Sequence, residues 1–227
     1  MKISVTKEDL ASGLQAVQNI VGARSTLPIL SNVLLVAGAK RLELRATDLE
    51  VSVHATVSAE VEREGATSMP AKRLFGLVRE IEAGEIKIEV SDKEVATVQA
   101  SASKYKLNGI GADEYPQQAK FKESGKVKVP QAKFKEMIRK TGYAVSTDES
   151  RHVLNGINIV ITPDRLTLVA TDGRRLALVE EEIEGGIKGE FIVPNKAVSE
   201  LQRLLQSSGD VEIRLGDTHV EFTLPQE

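Results

Sequence analysis

The segment RLELRATDLE, Arg41 to Glu50, returns as RLTLVATDGR, Arg165 to Arg174, displaced by 124 residues. Repetition at about the length of a domain has to be settled first, because overlooking it misassigns the whole fold. The same displacement relates KISVTKEDLASGL (Lys2 to Leu14) to KVKVPQAKFKEMI (Lys126 to Ile138), and MPAKRLFGLVREI (Met69 to Ile81) to VPNKAVSELQRLL (Val193 to Leu205). It also relates Leu30-Ser31-Asn32 to Leu154-Asn155-Gly156. IKIEVSDKEVATVQA (Ile86 to Ala100) matches VEIRLGDTHVEFTLP (Val211 to Pro225) at 125, a one-residue slip of the kind a loop absorbs. Four matches in one register make the chain a tandem of one module, expected over residues 2–115 and 126–227 with a connector at Gly111 to Gly125.

Periodicity gives the content of the module. Leu10, Leu14, Val17 and Val21 share a helical face, as do Leu74, Leu77, Val78 and Ile81. In the second copy, Phe134, Met137, Ile138 and Thr141 do the same, and so do Val198, Leu201 and Leu205. Helices are therefore expected over Thr6–Arg24, Pro70–Glu82, Pro130–Gly142 and Pro194–Gln206. Thr6 with Asp9 resembles a capping box, and the three prolines suit a first helical turn, where a missing N–H costs little. Between the helices the period is two. Leu42 and Leu44 alternate with Arg41, Glu43 and Arg45, and Ile86, Ile88 and Val90 are echoed by Val211, Ile213 and Leu215. Asp92-Lys93 and Gly216-Asp217 supply turns at matching places. Each module is expected to be α+β, two helices laid on a curved antiparallel sheet. SASKYKLNGI, Ser101 to Ile110, adds a last strand to the first copy; its counterpart would begin at Gln226-Glu227, so the second copy is expected to lack that strand.

Composition narrows the function. With 41% hydrophobic and 28% charged residues in 227, the chain has the makings of two packed cores. Cysteine is absent, which removes disulfides, thiolate metal sites and a cysteine nucleophile. No apolar run reaches secretory or bilayer length, so the expected setting is cytoplasmic, with no membrane. The net charge of −3 argues against a tight nucleic-acid binder of the usual basic kind. The charge is unevenly placed, however. The four helical segments hold eleven Lys and Arg against six Asp and Glu.

TLPILSNVLL (Thr26 to Leu35) with ATDLE (Ala46 to Glu50), MPAKRLFGLV, LNGINI (Leu154 to Ile159), VATDGRRLALV (Val169 to Val179) and IVPNKAVSEL follow one another at spacings that resemble the bacterial DNA polymerase III β subunit family, the replicative sliding clamps. The resemblance covers the chain and implies its first two modules, in the DNA clamp fold, of a three-module protein whose third module is not in this chain. It implies a non-enzymatic processivity factor that encircles double-stranded DNA as a homodimeric ring. DNA polymerases and the clamp loader would be held through short linear peptides. By the same resemblance Arg24, Lys72, Arg73 and Lys196 face DNA, while Lys133 and Arg139 rest on helix position alone. Leu154, Thr171, Gly173, Arg174, Arg175 and Leu176 would form the second module's side of a peptide groove; Arg174 stands where many relatives carry His. The edge strand, with Lys104, Tyr105 and Leu107, and Arg73 beside it, would meet a neighbouring chain in the ring. A basic lining attracts phosphates at long range and positions DNA without reading its sequence.

Other readings of the same residues exist. Lys and Arg on a helix are commonly a solvated face, Asp-Gly in the 171–176 segment is a standard turn, and lysines on an edge strand blunt aggregation. An enzyme is disfavoured, since no P-loop, nucleophile elbow or zinc-protease motif occurs, and Gly109 and Gly111 lack the third glycine of a dinucleotide loop. His54, His152 and His219 are scattered, so neither a metal nor a cofactor is expected. The remaining alternatives are an interaction scaffold that never encircles DNA, and a two-module clamp that closes as a trimer.

Overall fold

The computed structural model describes residues 1–21, 27–82, 84–117, 121–148, 150–185 and 187–225. The chain divides into two compact units, Met1–Gln118 and Ala119–Glu227, each with its own core.

In the first unit β1 (Lys2–Thr6) leads into α1 (Lys7–Val17), followed by β2 (Asn32–Gly38), β3 (Arg41–Thr47), β4 (Ser52–Ser58), β5 (Glu60–Arg63) and β6 (Gly65–Pro70). Then come α2 (Ala71–Glu80), β7 (Glu85–Val90), β8 (Val95–Ala100), β9 (Ser103–Asn108) and β10 (Ile110–Gly111). The second unit runs β11 (Glu123–Pro130), α3 (Gln131–Gly142), β12 (Gly156–Ile161), β13 (Arg165–Thr171), β14 (Leu176–Glu182), β15 (Gly189–Pro194), α4 (Asn195–Leu204), β16 (Asp210–Gly216) and β17 (Val220–Thr223).

Each unit has two antiparallel sheets rather than the single sheet read from periodicity. The orders are β5-β1-β7-β8-β9 and β10-β6-β2-β3-β4 in the first, β11-β16-β17 and β14-β13-β12-β15 in the second. The reason lies in the connections. α1 carries the chain from β1 in one sheet to β2 in the other, and α2 carries it back from β6 to β7; α3 and α4 do the same between their sheets. A period of two shows that a strand has one buried face, but not which sheet it joins. No strand follows β17 among the described residues.

The helices are short and aimed by their apolar stripes. α1 begins where the Thr6 hydroxyl accepts the Asp9 N–H at 3.1 Å, and it buries Leu10, Gly13, Leu14 and Val17. Gly13 is required by distance: a Cβ there would lie 2.8 Å from Leu44 Cδ1 and 3.0 Å from Val57 Cγ1 on the sheet below. The helix ends at Val17, well before the expected Arg24. Its end tightens through Ile20 N–H to Val17 O and Val21 N–H to Gln18 O, so Ile20 and Val21 stay buried outside the helix. Pro70, Pro130 and Pro194 also differ from expectation. Each closes a strand and sits at the N-cap in extended conformation, one residue before the first turn, and no side chain caps α2, α3 or α4.

The duplication is visible in single bonds. Lys7 N–H donates to Gly84 O, and its counterpart Gln131 N–H to Gly209 O, both at 2.9 Å. Gln131 does more, being buried with its Nε2 donating to Ser208 O at 2.9 Å and its Oε1 accepting Gln206 N–H at 3.0 Å. Phe134 and Phe222 stack at 5.9 Å between centroids in the second core.

Candidate functional site

The helices carry their cations in an unusual place. Lys72 and Arg73 lie in the first turn of α2, Lys133 in that of α3 and Lys196 in that of α4, and none of these turns holds an acid. Positive charge there opposes the helix dipole by roughly 0.3–1 kcal/mol per residue, so the arrangement gains nothing locally and suits an external anion. Lys72, Arg73, Lys133 and Arg139 are exposed and Lys196 is half-buried; Arg24 lies outside the described residues. Lys133 and Arg139 are engaged with acids on the same unit. Lys133 pairs with Glu181 at 3.2 Å, and Arg139 is held by both oxygens of Glu136 at 2.6 and 2.7 Å. Lys135 is structural, its ammonium donating to Leu205 O at the end of α4 at 2.7 Å. The α helices still hold ten bases against five acids.

The second site is built by three segments of the second unit. The hairpin between β13 and β14 closes across Asp172 and Arg175. Within it the Thr171 hydroxyl accepts the Gly173 N–H at 3.1 Å, and Asp172 Oδ1 accepts from Arg174 N at 2.9 Å and Arg175 N at 3.0 Å. Those two backbone donors, with the Arg175 side chain behind them, hold the Asp172 carboxyl below the usual carboxylate range. Gly173 has φ +87°, a conformation side chains disfavour. The first unit repeats the turn on Thr47 and Asp48, with Leu49 at φ +81° in the glycine's place.

The loop before β12 comes to this hairpin. Arg151 Nη1 stands 3.6 Å from where a Gly173 Cβ would be, and Arg151 O accepts the N–H groups of Leu154 and Asn155. Ser146 N–H and the Asn155 amide tie the loop to itself at 2.9 Å. The third segment is the end of α3, where the Tyr143 ring lies under the Arg175 guanidinium, 5.5 Å from its carbon to the ring centroid.

The surface so formed is apolar with a basic rim. Leu176 is 63% exposed, Leu178 56%, Val153 71% and Tyr143 59%, while Leu154 and Thr171 are half-buried. Exposed large apolar side chains on these segments make them a candidate contact surface. Of the expected residues, Thr171, Gly173, Arg174, Arg175 and Leu176 share one hairpin, and Leu154 is anchored by the loop that reaches it. The sequence reading missed Tyr143, Val153, Leu178 and Arg151. Leu178 had a signal, since it follows Leu176 at the strand period; nothing in sequence set Tyr143 apart.

Among the described residues the edge strand β9 pairs with β8 alone, Tyr105 opposite Val98 and Lys104 opposite Gln99. Lys104 is exposed, Tyr105 is 41% exposed, and Leu107 packs partly on the core. Among the described residues no strand pairs with its other side. Among the described residues no three His, Cys, Asp or Glu side chains gather to hold a metal ion, and no helix is long and apolar enough to cross a membrane.

Residues 1–120 match the family model for the N-terminal domain of the DNA polymerase III beta subunit, and residues 128–226 match that for its central domain. The chain belongs to the DNA polymerase III beta subunit family. Family members named beta sliding clamp include those of Chlamydia trachomatis, 33% identical over 93% of this chain and 51% of that protein, and Proteus mirabilis, 35% identical over 97% of this chain and 61% of that protein. Solved clamps share the fold. The Bartonella birtlesii DnaN clamp bound to griselimycin superposes with a TM-score of 0.94 at 35% identity, covering 99% of this chain and 62% of the clamp. The Bacillus subtilis clamp gives 0.93 at 27% identity, with coverage of 99% and 62%. The chain thus spans about half to three fifths of the length of the clamps it matches.

Proposed function

We propose that the chain supplies two modules of a DNA sliding clamp, a processivity factor without catalytic activity that encircles duplex DNA and tethers the replicative polymerase. The observation that carries this reading is the placement of Lys72, Arg73, Lys133 and Lys196 in acid-free first turns of repeated helices, within a chain of net charge −3. A basic lining in an acidic protein draws DNA in and leaves it free to slide. Arg24 joins that lining by its family position, and Arg139 by its place on α3. The hairpin at Thr171–Leu176, with Leu154, is the half of a groove that takes short peptides of polymerases and the clamp loader. An extended peptide suits apolar walls with a few polar donors. The edge β9, with Lys104, Tyr105, Leu107 and the nearby Arg73 of the family pattern, is where a second chain completes the ring. The solved clamps have room for one more module of this size, which favours a dimer of three-module chains over a trimer of two.

Fluorescence anisotropy of a labelled duplex, titrated with the chain at 20–200 mM salt, tests the reading. Binding is expected to be weak and indifferent to sequence. Replacing Lys72 and Arg73 by Gln should flatten the slope of log affinity against log salt by about 0.9 per lost phosphate contact. An unchanged slope would refute it.

A further inference from the structure

The Tyr143 ring is 59% exposed at the C-terminal end of α3 and lies outside the buried core, and the Arg175 guanidinium lies over its face. Arg175 is in turn fixed at its base. Its N–H and Nε both donate to Asp172, each at 3.0 Å, which sets the plane of the guanidinium. Of the five N–H donors on an arginine side chain, the four at its tip have no acceptor among the described residues. The next residue in the chain is the exposed Leu176.

We infer that Tyr143 is a positioning residue of the peptide site, holding Arg175 as a preset fork whose free donors take carbonyl or carboxylate oxygens of an extended peptide lying over Leu176. The inference rests on the docking reading of this hairpin. The physical reason is pre-organisation. A long side chain that must be ordered on binding loses rotamer freedom at that moment, whereas one already stacked on an aromatic face and tied to a carboxylate has lost it beforehand. The ring supplies this hold through attraction between its electron-rich face and the cation, which a leucine of similar size does not provide.

Griselimycin, the compound bound in the solved Bartonella birtlesii clamp, serves as the probe. Calorimetric titration of the whole chain measures affinity, and NMR of the Leu176 and Leu178 methyls places the contact. The wild-type chain should bind with shifts at those methyls. Tyr143→Leu should weaken binding about two- to fivefold, the size of one exposed cation–π contact, and Tyr143→Phe should restore it. Arg175→Ala should lose more, and adding Tyr143→Leu to it should lose nothing further, because the ring acts through the arginine. Equal binding by wild type and Tyr143→Leu, or additive losses, would overturn the role of Tyr143 with the site intact. Should Tyr143→Leu not fold, Arg175→Lys decides: it keeps the charge without the fork, and undiminished affinity would overturn the inference. A wild-type chain that leaves the Leu176 methyls unmoved would instead defeat the docking reading, and the inference with it.

Discussion

Leu49 and Gly173 occupy the same place in two copies of one turn, so exchanging them measures one quantity with opposite signs. Both have a positive φ, +81° and +87°, with the preceding Asp and Thr side chains making the same bonds. A leucine held in that region costs on the order of 1–3 kcal/mol. Leu49 is 63% exposed, so removing its side chain gives up little burial, and the freedom a new glycine gains in the unfolded chain costs about 0.4–1 kcal/mol. Leu49→Gly should therefore stabilise the first unit by about 1 kcal/mol. Gly173→Leu should destabilise the second by a similar amount, because a Cβ there meets only Arg151 Nη1 at 3.6 Å, an ordinary contact. For units of this size that is roughly 4–6 °C in midpoint. Thermal unfolding with hydrogen exchange assigned to each unit reads the two separately. A lower midpoint for Leu49→Gly would refute the reasoning, and would show that the exposed leucine makes contacts worth more than its strain.

Other outcomes can be stated from single groups. Gln131→Ala leaves Ser208 O and Gln206 N–H without their buried partner and should cost the second unit about 2–4 kcal/mol in urea unfolding; a loss under about 0.5 kcal/mol would contradict the pinning role. Asp172 has a lowered pKa, so its support of the hairpin is complete above the ordinary carboxylate value near 3.9 and is lost as pH falls through the lower folded value. The Arg174 and Arg175 amide resonances should accordingly hold from pH 7 to about 4 and move only below, and Asp172→Asn should abolish that movement; titration above about pH 5 would contradict the assignment. Burial pushes the Tyr115 pKa up to about 12 while its hydroxyl donates to Arg45 O at 3.1 Å. The first unit should lose stability as pH rises from about 10, where the unfolded phenol ionises, and Tyr115→Phe should remove the late phase of the phenolate absorbance while costing about 1 kcal/mol at neutral pH.

Helix faces were legible because their period is local. Leu10, Leu14, Val17, Leu74, Val78, Phe134, Met137, Ile138, Val198 and Leu201 all point inward as the spacing requires. Helix ends were harder, since α1 stops at Val17 with its apolar pattern continuing through Val21; what ends it is the tightening of the chain, which spacing does not record. The Thr171 to Leu176 turn could be read because a hairpin is contiguous in sequence, while its candidacy as a groove came from the family resemblance. Tyr143 and Arg151 could not, because their place depends on where a helix end and a loop come to rest. The excess of bases on the helices was legible, although Arg24 and Glu82 fall outside them, but the ion pairs of Lys133 and Arg139 involve neighbours that counting ignores.

By itself the sequence determined the duplication, the four helices with their buried faces, and the family. Each follows from short-range patterning or from matching two stretches of the same chain. Only the tertiary structure decided that every unit holds two sheets, that Gln131 pins the segment after α4 to α3, and that an arginine on a turn rests on a tyrosine 32 residues earlier. These depend on side chains meeting across long separations, and such contacts are set by how whole elements pack, which no local period encodes.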